Sequence, residues 1–358
     1  MSDKIKNVVV TLLFSSLLVF FFIINILKKD EEISISERRK LEQFPTLSTQ
    51  TIIDGTFFKK FDTYTTDQFI KRDEFRKLKV ELELNLKKNY NNLYLYKDYI
   101  IEQTFPFNEN SVSNLTDKMN SIKNNYLKNN SVYFTIIPDK NYFVDNGNLK
   151  LDYIKMENKM KQELPSFQYI NIFPLLNLDD YYKTDTHWKQ ENLKKVANEI
   201  ASQMHFSISN YYEQKEITSF KGAYAFQLPV TKQNDTIQIL TNKTIQNSKV
   251  YNYETKKETE VYDLTKINSY DKYDIYLSGA VAIIDIINDN MSDKELIVFR
   301  DSYGSSLVPL LIEGYHKITV IDTRYISPKI LNEYVDFNNK DVLFMYSILS
   351  INNSSSIR

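Results

Sequence analysis

The stretch Glu295-Leu-Ile-Val-Phe-Arg-Asp-Ser-Tyr-Gly-Ser-Ser-Leu307 predicts a buried strand, a sharp turn and the start of a helix. Residues 296–299 form an unbroken apolar run, which is typical of a parallel strand that is covered on both faces. Asp301, Ser302 and Gly304 are small or helix-capping residues, and they allow the backbone to turn tightly. Ser302 would therefore lie at the C-terminal edge of the sheet, where the sites of α/β proteins form. From this stretch alone, Ser302 is either a helix cap or a nucleophile.

The segments around this stretch predict an α/β domain with a parallel sheet. Residues 132–138 are β-branched and aromatic and form the first strong strand, residues 149–164 form a helix, and residues 169–173 form a second strand. Three later apolar runs complete the predicted core, at residues 280–287, 317–322 and 341–346. Residues 206–270 are rich in Asn, Thr, Lys and Tyr, and their short alternating runs predict a β-rich insertion with loops on the active face.

The N-terminal segment predicts a membrane helix. Residues 8–27 are apolar except for Thr11, Ser15, Ser16 and Asn25, and at about 1.5 Å per residue they are long enough to cross a ~30 Å hydrocarbon core. No small-residue cleavage site follows, which favours an uncleaved signal anchor over an export signal that is removed. Lysines flank both ends, so their distribution does not decide the orientation. Residues 28–100 are polar and helix-prone, and they predict a helical stem.

The composition excludes several kinds of chemistry. The chain has 45 Lys and Arg against 46 Asp and Glu, so no net charge would attract nucleic acid. It contains no Cys, which rules out disulfides, thiolate nucleophiles and Cys-ligated zinc. No HExxH motif or cluster of His and carboxylates is present in the sequence, so we expect no metal site.

The search for a general base is short because the chain has 3 His. His205 lies near the end of an amphipathic helix and His316 lies just before a strand, and both are interpreted as surface residues. His187 follows Asp185 by two residues. In an extended segment these two side chains project to the same side, so the carboxylate could hold one ring nitrogen and leave the other as a base. From the residues alone, the pair of Asp185 and His187 is either a general base with its orienting carboxylate or a solvated helix cap.

Two motifs resemble a known family. Asp185-Thr-His-Trp188 and Arg300-Asp-Ser-Tyr-Gly304 are similar, in sequence and order, to the signature pair of the alginate O-acetyltransferase-like group of the SGNH hydrolase superfamily. The similarity is greatest to the Gram-positive proteins named for a D-H-H-W motif. Weaker matches extend the resemblance over about residues 34–350, namely Ser36-Glu-Arg-Arg-Lys-Leu41, residues 67–72, Pro138-Asp-Lys140, Phe220-Lys-Gly222 and Ile321-Asp-Thr-Arg324.

The resemblance implies a flavodoxin-like, three-layer SGNH domain with a catalytic Ser302, His187 and Asp185. Asp301 is then the residue that caps the turn beside the nucleophile. The first His of D-H-H-W is Thr186 here, and Ser278-Gly-Ala280 stands where related proteins often have an Asn oxyanion donor. The backbone N–H of Ser302, with that of Gly304 or Gly222, is the expected oxyanion hole. Further candidates for substrate binding are Trp188, Lys140, Arg300, Asp322 and Arg324, although Trp188 also fits a packing anchor, and Asp322 and Arg324 also fit an ion pair.

The resemblance further implies acetyl transfer to hydroxyls of a cell-wall or extracellular polysaccharide, without a resident cofactor. A separate multi-pass membrane O-acyltransferase would supply the acetyl group, because nothing in the sequence resembles a coenzyme A site. The expected organisation is a cytoplasmic tail (1–7), a membrane anchor (8–27), the stem (28–100) and an extracytoplasmic catalytic domain (101–358) with the insertion 206–270. Two alternatives stay open: an acetyl esterase that uses the same triad, and a scaffold that binds polysaccharide without catalysis.

Overall fold

The apolar run at residues 296–299 forms the middle of an eight-stranded sheet. The computed structural model describes residues 3–34, 36–37, 39–86, 88–288 and 292–358. The chain divides into two units, one formed by Met1–Tyr90 with Phe226–Val230 and the other by Asn91–Ala225 with Thr231–Arg358. The predicted domain boundaries, including that between stem and catalytic domain at residue 100, stay predictions.

The first unit is mainly helical. Its elements are α1 (Asp3–Leu27), β1 (Ile33–Ser34), β2 (Arg39–Lys40), α2 (Thr49–Ile53), α3 (Thr56–Asp67) and α4 (Arg72–Asn85). The helix α1 is long and apolar enough to cross a membrane, which makes it a candidate membrane anchor by length and composition.

A buried carboxylate joins the start of the first unit to α3. Asp67 accepts two hydrogen bonds from the guanidinium of Arg39 and one from the backbone N–H of Glu42 at 2.9 Å. The hydrogen bond from Arg39 is the main reason that the pKa of Asp67 lies below its usual value, although burial opposes it. Glu37 pairs in turn with Arg72. The sequence similarity around residues 36–41 and 67–72 thus coincides with an ion-pair network. Arg38, which belongs to the matched sequence, lies outside the described residues.

The strands of the second unit are β3 (Leu93–Tyr96), β4 (Tyr99–Glu102), β5 (Val132–Ile137), β6 (Gln168–Tyr169), β7 (Glu213–Phe220), β8 (Asp235–Thr241), β9 (Lys249–Asn252), β10 (Lys257–Glu260), β11 (Ile283–Ile287), β12 (Glu295–Arg300), β13 (Lys317–Ile321) and β14 (Asp341–Ser347). The helices beyond Asn91 are α5 (Glu109–Tyr126), α6 (Tyr153–Glu163), α7 (Lys194–Gln203), α8 (Ala223–Gln227), α9 (Lys243–Asn247), α10 (Gly304–Leu307) and α11 (Ile348–Asn352). Short 3-10 helices connect them, among them Lys140–Phe143, Gln190–Asn192, Lys272–Ile275 and Val308–Gly314.

The main sheet has the strand order β10-β9-β11-β13-β12-β14-β5-β6. The five strands from β13 to β6 are parallel, with β12 paired to β13 on one side and to β14 on the other. The three strands β11, β9 and β10 continue the sheet in antiparallel fashion. Two small antiparallel pairs, β3 with β4 and β7 with β8, lie outside this sheet.

Two apolar cores cover the two faces of the sheet. Leu296 and Val298 face the core that contains α7, whereas Ile297 and Phe299 face the core that contains α5 and α6. This alternation follows from the period of two along a strand, and it explains why residues 296–299 are all apolar. The predicted three-layer α/β class is confirmed. The antiparallel end of the sheet was not foreseen, and it arises because the hairpin of β9 and β10, from the predicted insertion, extends the sheet beyond β11.

A stacked pair of aromatic rings at the centre of the sheet allows this packing to be tested. The rings of Phe299 and Phe344 stack on adjacent strands with centroids 4.4 Å apart, and Phe344 is 1% exposed. Replacing Phe344 by Ala leaves a cavity, so we expect Phe344→Ala to lower the free energy of unfolding by about 3–5 kcal/mol. Urea unfolding, followed by the fluorescence of the buried Trp188, measures this loss. Ile154→Ala, at a position on α6 that is 75% exposed, is the control and should change the stability by less than about 1 kcal/mol.

Candidate active site

Ser302 lies in the turn between β12 and α10, at the C-terminal end of the central strand. Asp301 holds this turn. Its Oδ1 accepts the N–H of Tyr303 at 3.1 Å, and its Oδ2 accepts the N–H and the hydroxyl of Ser347 at 2.8 and 2.6 Å and the hydroxyl of Ser350 at 2.7 Å. Because Ser347 ends the neighbouring strand β14, the carboxylate fixes the serine turn to the edge of the sheet. The expected role of Asp301 as a turn former agrees with these contacts.

The structure brings Asp185, His187 and Ser302 into one chain of hydrogen bonds. The distance from His187 Nε2 to Ser302 Oγ is 2.8 Å, and that from His187 Nδ1 to Asp185 Oδ1 is 2.6 Å. The tautomer with its proton on Nδ1 satisfies both contacts: Nδ1–H donates to the carboxylate and Nε2 accepts the serine proton. Asp185 and His187 are buried and Ser302 is partly exposed, so the hydroxyl is the member of the three that solvent reaches.

The segment that carries Asp185 and His187 is a loop between two paired residues, not a helix. Tyr181 and Trp188 form an antiparallel bridge, and the N–H of Tyr182 donates to the carbonyl of His187 at 3.0 Å. The indole N–H of Trp188 donates to the carbonyl of Tyr303 and to the hydroxyl of Ser306, each at 3.0 Å. Trp188 is 0% exposed and so offers no ring face to a sugar; it acts as the packing anchor that joins the two motifs.

Asp185 sits in a tight backbone cradle. Its Oδ2 accepts the N–H of Ala223 at 2.8 Å, and its Oδ1 also accepts the N–H of His187 at 3.1 Å. A Cβ on Gly222 would lie 2.3 Å from the Cβ of Asp185, so only glycine lets the backbone pass this close. Burial raises the pKa of Asp185, but the charge and hydrogen bond of His187 and the N–H of Ala223 outweigh it and bring the pKa well below its usual range. The carboxylate is therefore ionised at neutral pH.

Tyr273 is a member of the site that the sequence did not indicate. Its ring stacks on the His187 imidazole with centroids 3.8 Å apart and planes at 7°, and its hydroxyl donates to Ser306 Oγ at 2.7 Å. The stack holds one face of the imidazole while Asp185 holds its edge. A Tyr in a chain with 26 of them carries no local signal, so only the packing of the 3-10 helix Lys272–Ile275 could reveal this contact.

The other predicted oxyanion donors are already engaged. The N–H of Gly222 donates to Thr184 Oγ1 at 2.8 Å, and the N–H of Gly304 donates to the carbonyl of Asp301 at 3.1 Å. These two groups could serve an oxyanion only by exchanging partners. Among the predicted donors, the N–H of Ser302 makes no hydrogen bond to another described residue.

Arg300 and Arg324 both bind Asp322. Arg324 forms two hydrogen bonds with its carboxylate at 2.9 and 2.6 Å, and Arg300 lies 3.4 Å from it and donates to the carbonyl of Gly279 at 3.0 Å. Arg300 is 1% exposed, so its guanidinium supports the loop at Gly279 from within the protein. Within the described residues neither arginine hydrogen-bonds to Ser302 or His187, and the ion-pair alternative foreseen for Arg324 and Asp322 describes their geometry.

Thr186 replaces the first His of the D-H-H-W pattern and belongs to a polar network beside the site. Its Oγ1 lies 3.1 Å from the hydroxyl of Tyr303 and 3.0 Å from the hydroxyl of Tyr224. Tyr303 donates to the Thr186 carbonyl at 2.7 Å, and Tyr224 donates to Glu102 at 2.7 Å. The substitution therefore leaves the Asp185 and His187 contacts intact.

Comparison with known proteins bears on the fold. No protein-family model matches the sequence, and no curated protein matches it. The structure is similar to that of a DHHW family protein from Eubacterium siraeum DSM 15702, with 18% identity and a TM-score of 0.60 over 74% of this chain and 93% of that chain.

Bacillus cereus PatB1 has also been solved, once with a sulfonyl adduct. That structure matches with 17% identity and a TM-score of 0.57 over 72% of this chain and 97% of PatB1. A second PatB1 structure matches with 17% identity and a TM-score of 0.54, over 72% of this chain and 96% of that chain. At these identities the likeness concerns the fold, and the predicted relationship to the fold of the D-H-H-W proteins is confirmed.

The buried side chain of Lys140 binds the backbone of the loop that carries Asp185. Its ammonium donates to the carbonyls of Ile100, Tyr182 (3.1 Å) and Asp185 (2.7 Å), and the residue is 3% exposed. Three carbonyls from two segments thus converge on one amine, which braces the loop and is too buried to contact a substrate. Burial lowers the pKa of Lys140 to about 7, and the nearby carboxylates of Asp185, Asp235 and Glu102 oppose this only in part.

This brace predicts a pH-dependent stability. Above pH 7 the folded protein releases the Lys140 proton, whereas the unfolded chain keeps it up to about pH 10.4, so the free energy of unfolding should rise with pH by up to about 1.4 kcal/mol per unit. Lys140→Met lacks this contribution. We therefore expect the free energy of unfolding of the wild type, relative to that of Lys140→Met, to increase between about pH 6.5 and about pH 9 in urea unfolding. Lys128→Met, at an exposed position, should follow the wild type, and a constant difference for Lys140→Met would contradict the assignment.

Proposed function

We propose that this protein is an O-acetyltransferase that acylates hydroxyls of a cell-wall or extracellular polysaccharide through an acetyl-Ser302 intermediate. The observation that carries the proposal is the continuous hydrogen-bonded chain from Ser302 Oγ through His187 to Asp185, at the C-terminal end of the central strand. Nucleophile, base and orienting carboxylate in this order are the requirement of serine acyl chemistry.

In the first half-reaction Ser302 Oγ attacks the acetyl carbonyl of the donor ester while His187 Nε2 takes the serine proton. The developing oxyanion accepts a hydrogen bond from the N–H of Ser302. Further donors would have to leave their present partners when the substrate binds. When the tetrahedral intermediate collapses, the bond to the leaving oxygen breaks, and His187 returns the proton to that oxygen. Acetyl-Ser302 and the free donor alcohol result.

In the second half-reaction a polysaccharide hydroxyl attacks acetyl-Ser302. His187 takes the proton of that hydroxyl, and the bond between the acetyl carbon and Ser302 Oγ breaks as the proton passes to the serine. The polymer leaves as an acetyl ester and the enzyme is restored. In both halves the ionised Asp185 stabilises the imidazolium, and its low pKa keeps it charged throughout.

The choice of acceptor separates transfer from hydrolysis. If water reached acetyl-Ser302 instead of a sugar hydroxyl, the same residues would make an acetyl esterase. We assign transfer because the motifs 185–188 and 300–304 resemble those of the alginate O-acetyltransferase-like group. In this scheme α1 anchors the protein in the membrane with the catalytic domain outside the cell, and a multi-pass membrane O-acyltransferase delivers the acetyl group.

The acyl-enzyme step is tested with an aryl sulfonyl fluoride, in view of the sulfonyl adduct seen on PatB1. The reagent should sulfonylate wild-type Ser302 and leave Ser302→Ala unlabelled, and His187→Ala should slow labelling by several orders of magnitude because the base is gone. Intact-protein and peptide mass spectrometry locate the adduct. Ser305→Ala, three residues further on in α10, is the matched control and should label like the wild type. An adduct on another residue in the wild type would refute the assignment of Ser302.

The direction of the reaction is tested in cells. The acetyl content of the surface polymer should fall in a strain that carries Ser302→Ala, because the acetyl groups are no longer added. A rise would identify an esterase. An unchanged content with Ser302→Ala, together with a loss on deletion of the whole gene, would identify a scaffold.

The stack of Tyr273 on His187 predicts an effect on kcat that can be measured separately from an effect on folding. A ring over the imidazolium is worth roughly 0.5–2 kcal/mol, so Tyr273→Leu should lower kcat on an acetyl ester by roughly 2- to 30-fold. Tyr273→Phe keeps the ring and loses only the bond to Ser306, and it should retain most of the activity. Steady-state kinetics should place the loss in kcat with KM little changed. A general loss of folding would instead affect both variants alike and change the Trp188 emission.

A further inference from the structure

The first unit contains an aromatic groove between α1 and the segment that includes α3. The groove has a volume of about 780 Å³. Its two walls are formed by apolar side chains of α1 and of residues 44–69, among them Leu18, Phe22, Ile26, Phe44, Phe61 and Phe69. Neither the serine site nor its proposed chemistry uses this groove.

Large aromatic side chains are exposed along the groove and beside it. Phe44, Phe58 and Phe61 are 59%, 60% and 38% exposed. They belong to one cluster, in which Phe44 contacts Phe61 with ring centroids 5.9 Å apart and Phe57 contacts both Phe58 and Phe61. An exposed cluster of this kind is costly in water and marks a surface that another apolar phase covers.

Specific hydrogen bonds hold this cluster against the end of α1. The side chain of Asn25 accepts the N–H of Ile70 at 2.8 Å, and the amide of Gln68 bonds both the N–H and the carbonyl of Glu31 at 2.9 Å. The rings of Phe21 and Phe69 stack with centroids 5.6 Å apart. The junction of α3 and α4 is therefore fixed to the last two turns of α1.

The positions of the groove residues along α1 define how deep the groove would lie in a membrane. Phe21 lies six residues and Leu18 nine residues before Leu27, where α1 ends. At about 1.5 Å per residue these positions are ~9 and ~14 Å from the helix end, and half of a ~30 Å hydrocarbon core is ~15 Å. If α1 crosses the membrane with Lys28 and Lys29 at the headgroups, the groove spans one leaflet and Phe69 lies within the hydrocarbon.

Tyr64 fits the same geometry. Its ring lines the groove, and its hydroxyl donates to Asp30, which follows the end of α1, at 3.1 Å. An aromatic body on the apolar side with its polar tip on the wet side is typical of the membrane interface. The groove is thus apolar toward the middle of the membrane and polar at the level of the helix end.

We propose that the groove and the exposed residues Phe44, Phe58 and Phe61 form a membrane-embedded foot, and that acyl chains of the bilayer lipids fill the groove. The inference rests on the membrane anchor in the proposed function and is independent of the serine chemistry. In a leaflet, acyl chains surround α1 on every free side, so they are the molecules that reach a groove opening beside this helix. The foot adds a second attachment beside α1 and fixes the height of the stem relative to the membrane.

The test uses the full chain in vesicles of phosphatidylcholine and phosphatidylglycerol, at a low ratio of protein to lipid. A tryptophan placed in the groove by Phe61→Trp reports its surroundings, with lipids brominated in the acyl chains as one quencher and acrylamide in the water as the other. Phe14→Trp, in the middle of α1, reports the anchor itself. Tyr325→Trp, which is 47% exposed in the second unit, is the control for water. The native Trp188 is fully buried, so its signal is subtracted and also reports that each variant is folded.

We expect brominated lipid to quench Phe61→Trp by at least half of the extent found for Phe14→Trp, while acrylamide quenches Tyr325→Trp alone. Quenching of Phe14→Trp by lipid with Phe61→Trp open to acrylamide would overturn the foot and leave the anchor intact. Protection of Phe61→Trp from both quenchers would assign the groove to a second copy of the chain and overturn the proposal. If neither site is quenched by lipid, the anchor and the foot both fail, while labelling of Ser302 by the sulfonyl fluoride is unaffected.

Discussion

The pairing of β12 with β13 on one side and β14 on the other is the constraint on which the second unit depends. It buries residues 296–299 between two apolar cores, and with them it fixes where the strand ends and the serine turn begins. Asp301 then ties that turn to the end of β14 through Ser347 and Ser350. The 2.8 Å contact between Ser302 Oγ and His187 Nε2 depends on this support of the turn.

The histidine side of the site is held by polar contacts that are almost entirely buried. The carboxylate of Asp185, the amine of Lys140 and the indole of Trp188 each bond to backbone atoms of another segment. Each of these groups would be costly to bury alone, and each is satisfied here by donors or acceptors from elsewhere in the chain. The loop at residues 181–188 therefore keeps one conformation although it is neither helix nor strand.

The first unit follows a different principle. A network of Arg39, Asp67, Glu37 and Arg72 organises its polar side, and an aromatic cluster at the end of α1 forms its apolar side. The two sides meet at Gln68, whose amide bonds the chain just beyond α1. Such a division into a charged and an aromatic side agrees with the proposed position of this unit at a membrane surface.

The sequence by itself determined the α/β class, the apolar N-terminal helix, and the grouping of Asp185, His187 and Ser302 as residues worth bringing together. The first two follow from local patterns, namely an apolar run buried on both faces and a twenty-residue segment that is apolar except at four positions. The grouping follows from the spacing of two that sends the side chains of Asp185 and His187 to one side, together with the resemblance of the two motifs to a known family. Only the tertiary structure decided that Trp188 is buried, that Arg300 and Arg324 bind Asp322, that Tyr273 stacks on His187 and that Lys140 braces the loop. The physical reason is that local periodicity encodes burial but not partners, since most of these contacts join segments 20 to more than 100 residues apart.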